Sequence, residues 1–384
     1  MNSIITGLLE AGHQVKILAV NSEKFHVKES DIPEDYKQKT GIELINVDLS
    51  VRPVKAFLNL FTKKSYHVER FVSKAFKERL VQVLKQEHFD VVQLEMLYMA
   101  PYVGDIRAHS KAMIVLRAHN VEHKIWERIA KETKFFVKRW YINHLAKTLK
   151  NYELDAIETV DGVAAITRKD AAFFRKYCSK PIIDIPYGVY PEEFTPKYEI
   201  EGKPKFYHIG SMNWMPNEEG IRWFIENVLP KTVEKVPDFK YLLAGRNMPE
   251  WLTNLKDPHV EVIGEVPDAK AFVAQNDVAI VPLLSGSGIR IKIIESMAMG
   301  KTVITTRVGA EGILYDEEVN LIIAENPAKM VEAIRSLDTN HEIAVKIGQA
   351  ARKLVEETYD NRKIIARLLM FYEQIKPSSK ITFL

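Results

Sequence analysis

Short apolar runs alternate with longer amphipathic segments along almost the whole chain. Short runs rich in β-branched residues are typical of strands buried on both faces, and apolar residues spaced three and four apart are typical of helices. The pattern predicts strands at 14–20, 42–47, 89–94, 112–117, 163–166, 182–185, 206–209, 240–244, 259–263, 278–283, 303–306 and 321–323. It predicts helices at 1–11, 68–87, 220–236, 269–275, 289–299, 328–336, 342–358 and 360–376. This alternation indicates an α/β fold with mostly parallel sheets.

A proline-rich stretch without periodicity, at 186–204, separates two such α/β halves. A chain of 384 residues is also too long for a single core. We therefore expect a Rossmann-like N-terminal domain at 1–188, a linker at 189–204 and a second Rossmann-like domain at 205–359. Two halves joined in this way leave a cleft between them, and ligands are expected there, at the carboxyl ends of both sheets.

The first predicted element is a helix, whereas a doubly wound domain normally starts with a strand and its glycine loop. Either the fold has lost that strand or the sequence begins at an internal methionine. We therefore expect an N-terminal domain that lacks its first strand.

Composition restricts the class of protein further. Hydrophobic content of 46% and charged content of 27% fit an ordinary soluble enzyme, and a net charge of +3 is too small to indicate nucleic acid. The single cysteine, Cys178, excludes an internal disulfide framework and fits a reducing compartment. No apolar run approaches the roughly 18 residues of a spanning helix, and no signal peptide is recognisable. A cytoplasmic protein, either soluble or peripheral on the inner face of the membrane, is expected.

The stretch 277–306 contains the most informative motif, a strand followed by a glycine loop, a helix and a second strand. Glycines allow close approach of the backbone to a ligand, and a helix N-terminus favours an anion. Arg290 and Lys292 lie in the first helical turn, where each cation opposes the helix dipole by roughly 0.3–1 kcal/mol. We infer that an anion lies between them, and that Glu295 could accept hydrogen bonds from sugar hydroxyls. An ordinary crossover with solvated charges is the alternative.

Three more loops follow the first three predicted strands of the second half. The first contains Gly210, Ser211 and Asn213, the second Arg246 and the third Val266. Any one of them could be a plain turn. Four such loops at one edge of a sheet predict a site of nucleotide size.

His119 follows the predicted strand 112–117 and therefore lies at the carboxyl edge of the first sheet, facing the expected cleft. The alternative is a surface histidine beside the cap of the next helix. His123 is four residues further on, but His119 precedes the helix and no glutamate completes an HExxH order, so no metal site is expected.

Basic residues are concentrated in two segments of the first half. Nine basic residues face three acidic ones between Arg117 and Lys150, and seven face two between Lys55 and Arg79. Aromatic and leucine side chains are interleaved with them, namely Phe57, Leu60, Phe61, Phe135, Phe136, Trp140 and Tyr141. Such faces dock on anionic membranes or anionic acceptors. Solvated helix faces with a buried aromatic stripe are the alternative.

The motif SGSGIRIKIIESMAMGKTVITT resembles the donor-binding signature of glycosyltransferases of family 4, which have the two-domain GT-B architecture. Further matches follow in the order of that family: LLEAGHQVKILAV, RAHNVEH, DGVAAIT, IPYGV, YHIGSMNWMPN, LLAGR, VEVIGEVPD and the terminal helix. The resemblance spans nearly the whole chain, and its most specific parts are the first motif and the loop GSMNWMPN.

The resemblance implies transfer of a sugar, with retention of anomeric configuration, from a UDP- or GDP-sugar to a carbohydrate or lipid-linked acceptor. The C-terminal domain would hold the donor, the N-terminal domain the acceptor, and residues 360–384 would cross back onto the N-terminal domain. The products would be cell-surface polysaccharide or glycolipid. No metal is expected, because cations and a helix dipole can stabilise the departing diphosphate. No other cofactor and no nucleic acid are expected.

The resemblance also assigns roles to individual residues. Arg290 and Lys292 would neutralise the diphosphate together with the backbone of Gly288 and Ile289, Glu295 would bind the ribose, Val266 would border the base, and His119 would lie near the transferred sugar. Ser287 replaces a glutamate that normally contacts the donor sugar, so we expect an altered contact there. The glycine loop that follows the family's first strand is missing with that strand, and weak or absent turnover is expected if the chain begins at Met1.

Three other functions remain to be compared with this one. A non-hydrolysing sugar-nucleotide epimerase of the same fold would need no basic acceptor face. A non-catalytic partner subunit would be compatible with Ser287 and with the missing strand. A nicotinamide oxidoreductase is not favoured, because no G-x-G-x-x-G follows any predicted strand.

Overall fold

The computed structural model describes residues 2–23, 26–62, 64–286 and 288–376, and the chain folds into two compact units. Unit 1 contains the residues up to Pro186 together with those from Ile365 onward, and unit 2 is Tyr187–Ile364. Within the described residues, no helix is both long enough and apolar enough to cross a membrane.

The elements of unit 1 alternate between strands and helices as predicted. Its strands are β1 (Leu18–Asn21), β2 (Glu43–Asn46), β3 (Val91–Glu95), β4 (Met113–Ala118), β5 (Gly162–Ala165) and β6 (Ile182–Asp184). The helices before residue 187 are α1 (Asn2–Glu10), α2 (Glu34–Thr40), α3 (Pro53–Asn59), α4 (Tyr66–Glu69), α5 (Lys74–Gln86), α6 (Val103–His109), α7 (Glu122–Glu132), α8 (Phe136–Thr159) and α9 (Arg168–Phe174).

All strand pairs of unit 1 are parallel, and they form two sheets around one core. Strands β3, β4, β5 and β6 make a four-stranded sheet in that order, and β1 pairs with β2 in a separate sheet. Leu18, Val20 and Ile45 of the smaller sheet pack against the core of the larger one. All six residues of β4 are buried, which is why its sequence is almost wholly apolar. The exception is Arg117.

The helix predicted at 68–87 is two helices, α4 and α5. Ser73 interrupts it: its backbone is extended and its side chain accepts a hydrogen bond from the backbone N–H of Phe76, which is an N-cap. Val72 fits the apolar spacing but is exposed. The sequence pattern did not reveal the break, because Val72 is the only one of the spaced apolar residues that lies in it.

Unit 2 is a single parallel sheet covered by helices. Its strands are β7 (Phe206–Ile209), β8 (Tyr241–Ala244), β9 (Val260–Gly264), β10 (Val278–Val281), β11 (Thr302–Thr305) and β12 (Ile322–Ile323). Its helices are α10 (Met215–Asn227), α11 (Leu229–Lys235), α12 (Glu250–Thr253), α13 (Ala269–Ala274), α14 (Ile291–Ala298), α15 (Pro327–Thr339) and α16 (His341–Leu354), followed by a π-helical turn at Val355–Tyr359 and by α17 (Asn361–Ile375). The helix predicted at 220–236 begins earlier and is divided at Val228, because Pro230 starts a new helix.

The strand order of this sheet is β12, β11, β10, β7, β8, β9. The chain runs outward from β7 through β8 to β9 and then returns to β10 on the other side of β7. The direction of winding therefore changes between β7 and β10. In open α/β sheets, ligands bind at the carboxyl ends of the two strands on either side of such a change.

The segment predicted as a linker, 189–204, belongs to unit 2. Val189 and Phe194 are buried in its core, and Val189 forms a parallel bridge with Asp360. The segment is anchored because these two apolar residues are spaced to reach the core. The boundary between the units falls within α17, and the chain belongs to unit 1 again from Ile365 onward.

Candidate functional site

A pocket of about 560 Å³ opens at the carboxyl ends of β7 and β10, where the winding changes. It is lined by six of the residues predicted from the sequence: Gly210, Ser211, Ile289, Arg290, Lys292 and Glu295. Residues that the sequence did not single out complete the wall, among them Phe194, Trp214, Asn217 and Lys270. The two loops that form most of the wall follow β7 and β10, as expected for this type of sheet.

Lys292 is held in the pocket by two neutral side chains. Its Nζ donates to Oδ1 of Asn217 at 2.7 Å and lies 3.1 Å from Nε2 of His208. Asn217 donates in turn to the backbone carbonyl of Ser211 at 2.8 Å, so its orientation is defined. Burial and the charge of Arg290 lower the pKa of Lys292 to about 7.

His208 must be neutral for this arrangement to form. It is fully buried, its Nδ1 lies 2.9 Å from the carbonyl of Ile280, and its Nε2 faces the Lys292 ammonium. Nδ1 therefore carries the proton, and Nε2 accepts from lysine. Burial and the charge of Lys292 hold the pKa of His208 well below its ordinary value.

Arg290 is the N-cap residue of α14 and is almost fully buried. One guanidinium nitrogen donates to the carbonyl of Gly288, and the guanidinium carbon lies 5.2 Å from the centre of the Trp214 ring. The helix begins at Ile291 rather than at the predicted 289, so Gly288 and Ile289 belong to the loop. Two cations thus lie at a helix N-terminus, an arrangement that favours an anionic ligand.

Two glycines leave room for these cations. A Cβ at Gly210 would lie 2.6 Å from Nζ of Lys292, and one at Gly286 would lie 3.0 Å from a guanidinium nitrogen of Arg290. Gly286 also has a φ of +108°, a conformation that side chains disfavour. A side chain at position 210 would displace the Lys292 ammonium, and one at position 286 would be strained by its backbone conformation.

Glu295 lies one turn after Lys292 on α14 and is half-buried in the pocket wall. Burial raises its pKa, and the charge of nearby Lys270 opposes the shift. A carboxyl group in this environment can accept hydrogen bonds from ligand hydroxyls when ionised.

Five predicted residues of unit 2 lie outside the pocket wall or outside the described residues. Gly288 lies in the loop before α14, next to the wall residue Ile289. Asn213 and Arg246 are exposed, and both contact Ser211: the Asn213 side chain accepts from its hydroxyl, and the Arg246 carbonyl lies 3.4 Å from that hydroxyl. Val266 packs against the core of unit 2. Ser287 lies outside the described residues.

His119 of unit 1 lies at the carboxyl end of β4 and is bonded to a carboxylate. Its Nε2 lies 2.6 Å from Oε2 of Glu95, to which Arg117 also donates at 3.2 Å. Burial raises the pKa of Glu95, but the hydrogen bond from His119 and the charge of Arg117 lower it more, and the pKa lies below its ordinary value. His123, by contrast, is buried and its Nδ1 is bonded to Glu153.

Sequence reasoning missed Asn217, His208 and Glu95, which hold the predicted side chains in place. The only sequence signal was their position. His208 lies in a predicted strand and Glu95 directly after one, and Asn217 follows the glycine loop after β7. Across the described residues, no group of three or more histidine, cysteine, aspartate or glutamate side chains could hold a metal ion.

Comparison with known proteins shows what this site is similar to. Residues 203–340, which include the whole pocket wall except Phe194, match the family described as "Glycosyl transferases group 1". This part of the chain, 138 of its 384 residues, is therefore similar to group 1 glycosyltransferases. The predicted resemblance, and with it the enzyme class of glycosyltransferase, is confirmed.

Relatives extend the similarity beyond that domain. An uncharacterized 44.6 kDa protein in the cps region of Klebsiella pneumoniae is 22% identical over 82% of this chain and 86% of its own length. The phosphatidyl-myo-inositol mannosyltransferase of Mycobacterium tuberculosis is 25% identical over 51% of this chain, and the match spans about half, 55%, of that enzyme.

Solved structures confirm the predicted fold class, a GT-B protein with two Rossmann-like domains. Sucrose-phosphate synthase from Thermosynechococcus elongatus superposes with a TM-score of 0.66 at 16% identity, covering 97% of this chain and 91% of that one. HepE of Anabaena, solved in complex with UDP-glucose, gives 0.59 at 12% identity, covering 94% and 99%. At these identities the likeness concerns the fold alone.

Proposed function

We propose that this glycosyltransferase moves a sugar, with retention of configuration, from a nucleoside diphosphate sugar to a carbohydrate or lipid-linked acceptor. The donor is a UDP- or GDP-sugar, and its diphosphate lies between Arg290 and Lys292. One observation carries the proposal: these two cations lie together in a pocket where the hydrogen bonds of Lys292 go to neutral groups. A diphosphate would supply the negative charge that this arrangement favours.

The same cations can promote the reaction. When the bond between the anomeric carbon and the phosphate oxygen breaks, negative charge develops on the diphosphate. Positive charges already in place stabilise that charge without reorganisation. On the same face of the sugar, the acceptor oxygen forms the new bond and its proton passes to the departing phosphate oxygen, so the configuration is retained. The chemistry then requires neither a carboxylate base nor a metal.

Relatives support the choice of donor and product. HepE, of the same fold, was solved with UDP-glucose, and the similar mannosyltransferase acts on phosphatidyl-myo-inositol according to its name. The relative in a cps region supports a product in polysaccharide synthesis. The lone cysteine, Cys178, is compatible with a reducing compartment, and we place the reaction on the cytoplasmic side.

The acceptor side of the proposal includes peripheral contact with an anionic membrane. All seven residues at 134–140, with the sequence KFFVKRW, are exposed, and so are Phe57 and Phe61 in and beside α3. The alternative of a buried aromatic stripe is therefore wrong for Phe57, Phe61, Phe135, Phe136 and Trp140, which are between 59% and 78% exposed. Basic and aromatic side chains exposed together are typical of surfaces that bind lipid headgroups.

Binding of candidate donors tests the proposal directly. UDP-, GDP- and ADP-sugars are titrated into the protein by calorimetry, and one of the first two is expected to bind. We predict that Arg290→Ala or Lys292→Ala weakens that binding by about 1.5–3 kcal/mol, because each loses a charge-assisted hydrogen bond. Lys231→Ala, an exposed lysine of α11 outside the pocket, should leave affinity unchanged. Equal affinity of all three variants would place the diphosphate elsewhere.

Transfer is separated from the epimerase alternative by incubating the bound donor with and without acceptors. A glycosylated product whose anomeric configuration matches the donor, identified by NMR coupling constants, is the expected result. An epimerised donor formed without acceptor would contradict the proposal. Binding with no product over a panel of glycan and lipid-linked acceptors would instead support the non-catalytic partner subunit.

A further inference from the structure

Four polar side chains lie together on one face of the four-stranded sheet of unit 1. Gln93 and Glu95 are two residues apart on β3 and therefore face the same side. Arg117 is the direct partner of Glu95 on β4, and His119 follows two residues later. This cluster interrupts a sheet whose neighbouring residues are apolar and buried.

Glu95 is the centre of the cluster. Its Oε2 accepts from His119 at 2.6 Å and from Arg117 at 3.2 Å, and its Oε1 accepts from Nε2 of Gln93 at 2.6 Å. Only 4% of the Arg117 side chain is exposed, so its charge needs a partner at close range. Glu95 thus balances a buried cation with one oxygen and orients an imidazole with the same oxygen.

The helix α17 orients this carboxylate indirectly, through Gln93. The hydroxyl of Tyr372 donates to Oε1 of Gln93, which fixes the amide so that its nitrogen faces Glu95. Tyr372 is buried, and burial together with the charge of Glu95 raises its pKa, so the hydroxyl keeps its proton. The chain Tyr372, Gln93, Glu95, His119 therefore has one consistent direction of hydrogen bonding.

The backbone beside Glu95 adopts an uncommon conformation. Met96, directly after Glu95, has a φ of +79°, which is uncommon for a residue with a side chain. Its N–H donates to the carbonyl of Arg117 at 3.1 Å, so the strained turn is tied to β4. Strain of this kind persists where the surrounding structure requires it, often at functional sites.

The hydrogen bond to Glu95 determines which nitrogen of a neutral His119 carries the proton. An ionised carboxylate only accepts, so Nε2 must donate. Nδ1 is then a lone-pair acceptor, and within the described part of the chain it makes no hydrogen bond. The His119 side chain is 21% exposed, so a hydroxyl donor from a substrate can reach it.

We propose that Glu95 is a positioning residue that holds His119 with Nδ1 as an acceptor for a substrate hydroxyl, and that Tyr372 of α17 fixes Glu95 through Gln93. The inference rests on the proposed function because it assumes that His119 contacts a reacting sugar. All four residues of the hydrogen-bonded chain belong to unit 1. The residues of α17 that follow Ile365 thereby contribute to the site and not only to packing.

Kinetics of Glu95→Gln test the positioning role. The substitution retains the shape and removes the charge, and we expect kcat to fall on the order of 10²-fold, because a misplaced group loses that much. KM for the donor should stay unchanged, since the pocket of unit 2 is not altered. In a His119→Ala background, Glu95→Gln should have little further effect. An equal fall in kcat in both backgrounds would overturn the proposal.

A substrate-free measurement keeps this inference separate from the proposed function. In protein labelled with ¹⁵N-histidine, at a pH where His119 is neutral, its Nε2 should be protonated and its Nδ1 should not. Loss of the same signals in His119→Gln assigns them. Protonation of Nδ1 instead would refute the positioning role even if transfer is found, and the expected tautomer would support it even if no acceptor is found.

Tyr372→Phe removes only one hydroxyl and tests the contribution of α17. We expect kcat to fall several-fold at unchanged KM for the donor, with a mixture of His119 tautomers in the ¹⁵N spectrum. Tyr102→Phe is the matched control, because Tyr102 is also buried in unit 1 and its hydroxyl bonds to the backbone of Phe71 and Ser73. This control variant should lower stability without changing kcat or the tautomer of His119. Identical kcat and tautomer signals in the two variants would exclude a role of Tyr372 in the site.

Discussion

The ammonium of Lys292 donates to one amide and one imidazole, both neutral, and the cation Arg290 lies two residues earlier, at the N-cap of the same helix. Neither the amide nor the imidazole compensates the charge of Lys292. Burial and Arg290 lower the pKa of Lys292 to about 7, so in the free protein the side chain is roughly half charged at neutral pH. An anion between Lys292 and Arg290 would favour the charged form and raise the pKa again.

Binding of UDP or GDP at pH 8 should therefore be coupled to proton uptake. The folded free protein has a lowered lysine pKa, so protons must be added when the complex restores the ammonium. Uptake should approach one proton per site, and affinity should fall as pH rises above about 7, by up to tenfold per pH unit. Calorimetry in two buffers of different ionisation enthalpy measures the uptake.

The control for this experiment is Lys292→Met, which keeps the length of the side chain without its charge. It should bind weakly, show no proton uptake and lose the pH dependence in this range. A wild-type protein that binds nucleotide at pH 8 without taking up a proton would contradict the assignment of the diphosphate to Lys292.

Single residues of the site were predictable when they belonged to a local motif. Arg290, Lys292 and Glu295 lie within six consecutive positions at the start of a helix that follows a glycine loop, and both the spacing and the charges are visible in the sequence. The side chains that hold them are not. Asn217 is 75 positions from Lys292 and His208 is 84, and Tyr372 is 279 from Gln93. Such contacts depend on the packing of strands and helices, which apolar patterning does not define.

At the scale of elements, the N-terminus of α7 is held by a side chain of α8. Glu153 accepts from the backbone N–H groups of Glu122 and His123 at 2.8 and 3.3 Å and also bonds Nδ1 of His123. Helix starts leave such N–H groups without intrahelical partners. Because Glu153 is 98% buried, water cannot replace it. This contact fixes the helix that begins directly after the loop of His119.

Replacing this buried carboxylate should therefore destabilise unit 1. For Glu153→Ala we expect the free energy of unfolding to fall by about 1–3 kcal/mol, because buried N–H groups lose their acceptor. Urea denaturation followed by circular dichroism measures the change. Asp155→Asn, an exposed acidic residue of the same helix, is the control and should change stability by less than about 0.5 kcal/mol. Equal stability of the two variants would show that α7 starts independently of α8.

Elements were predictable where apolar periodicity and burial coincide. Strands β4 and β7 lie within one residue of the predicted ranges, since all or nearly all of their residues are buried. The break between α4 and α5 was missed, because Ser73 acts through a side-chain hydrogen bond that hydrophobicity does not report. The start of α14 was misplaced for a similar reason: Arg290 looks helical in the pattern but has an extended backbone.

For the whole molecule, net charge conceals an uneven distribution. The total is only +3, while the segments from Lys55 to Arg79 and from Arg117 to Lys150 are both strongly basic. These segments contact each other in the structure. Helix α4 packs against α8, and His67 packs against Trp126 of α7 with ring centres 3.9 Å apart and ring planes tilted by 31°. Burial lowers the pKa of His67 to about 4, so the contact between them is uncharged at neutral pH. Sequence composition predicted the charge, but only the structure shows that the aromatic residues at 134–140 are exposed.

If this exposed segment binds lipid, removing its aromatic residues should release the protein from membranes. We predict that Phe135→Ser, Phe136→Ser and Trp140→Ser combined weaken binding to vesicles with anionic lipid by tenfold or more, since each large apolar side chain contributes roughly 1.5–3 kcal/mol when fully buried. Co-sedimentation with vesicles of phosphatidylcholine, with and without phosphatidylglycerol, measures the affinity. Binding should also weaken with added salt, because each Lys or Arg at the surface contributes about 1 kcal/mol through a screened attraction.

The control is Met370→Ser, which replaces another exposed apolar residue of unit 1, on α17, and should leave vesicle binding unchanged. The proposed membrane contact would be contradicted by equal sedimentation of the triple variant and the wild type. It would also be contradicted by binding that changes with neither salt nor anionic lipid. The basic segments would then be expected to bind the acceptor only.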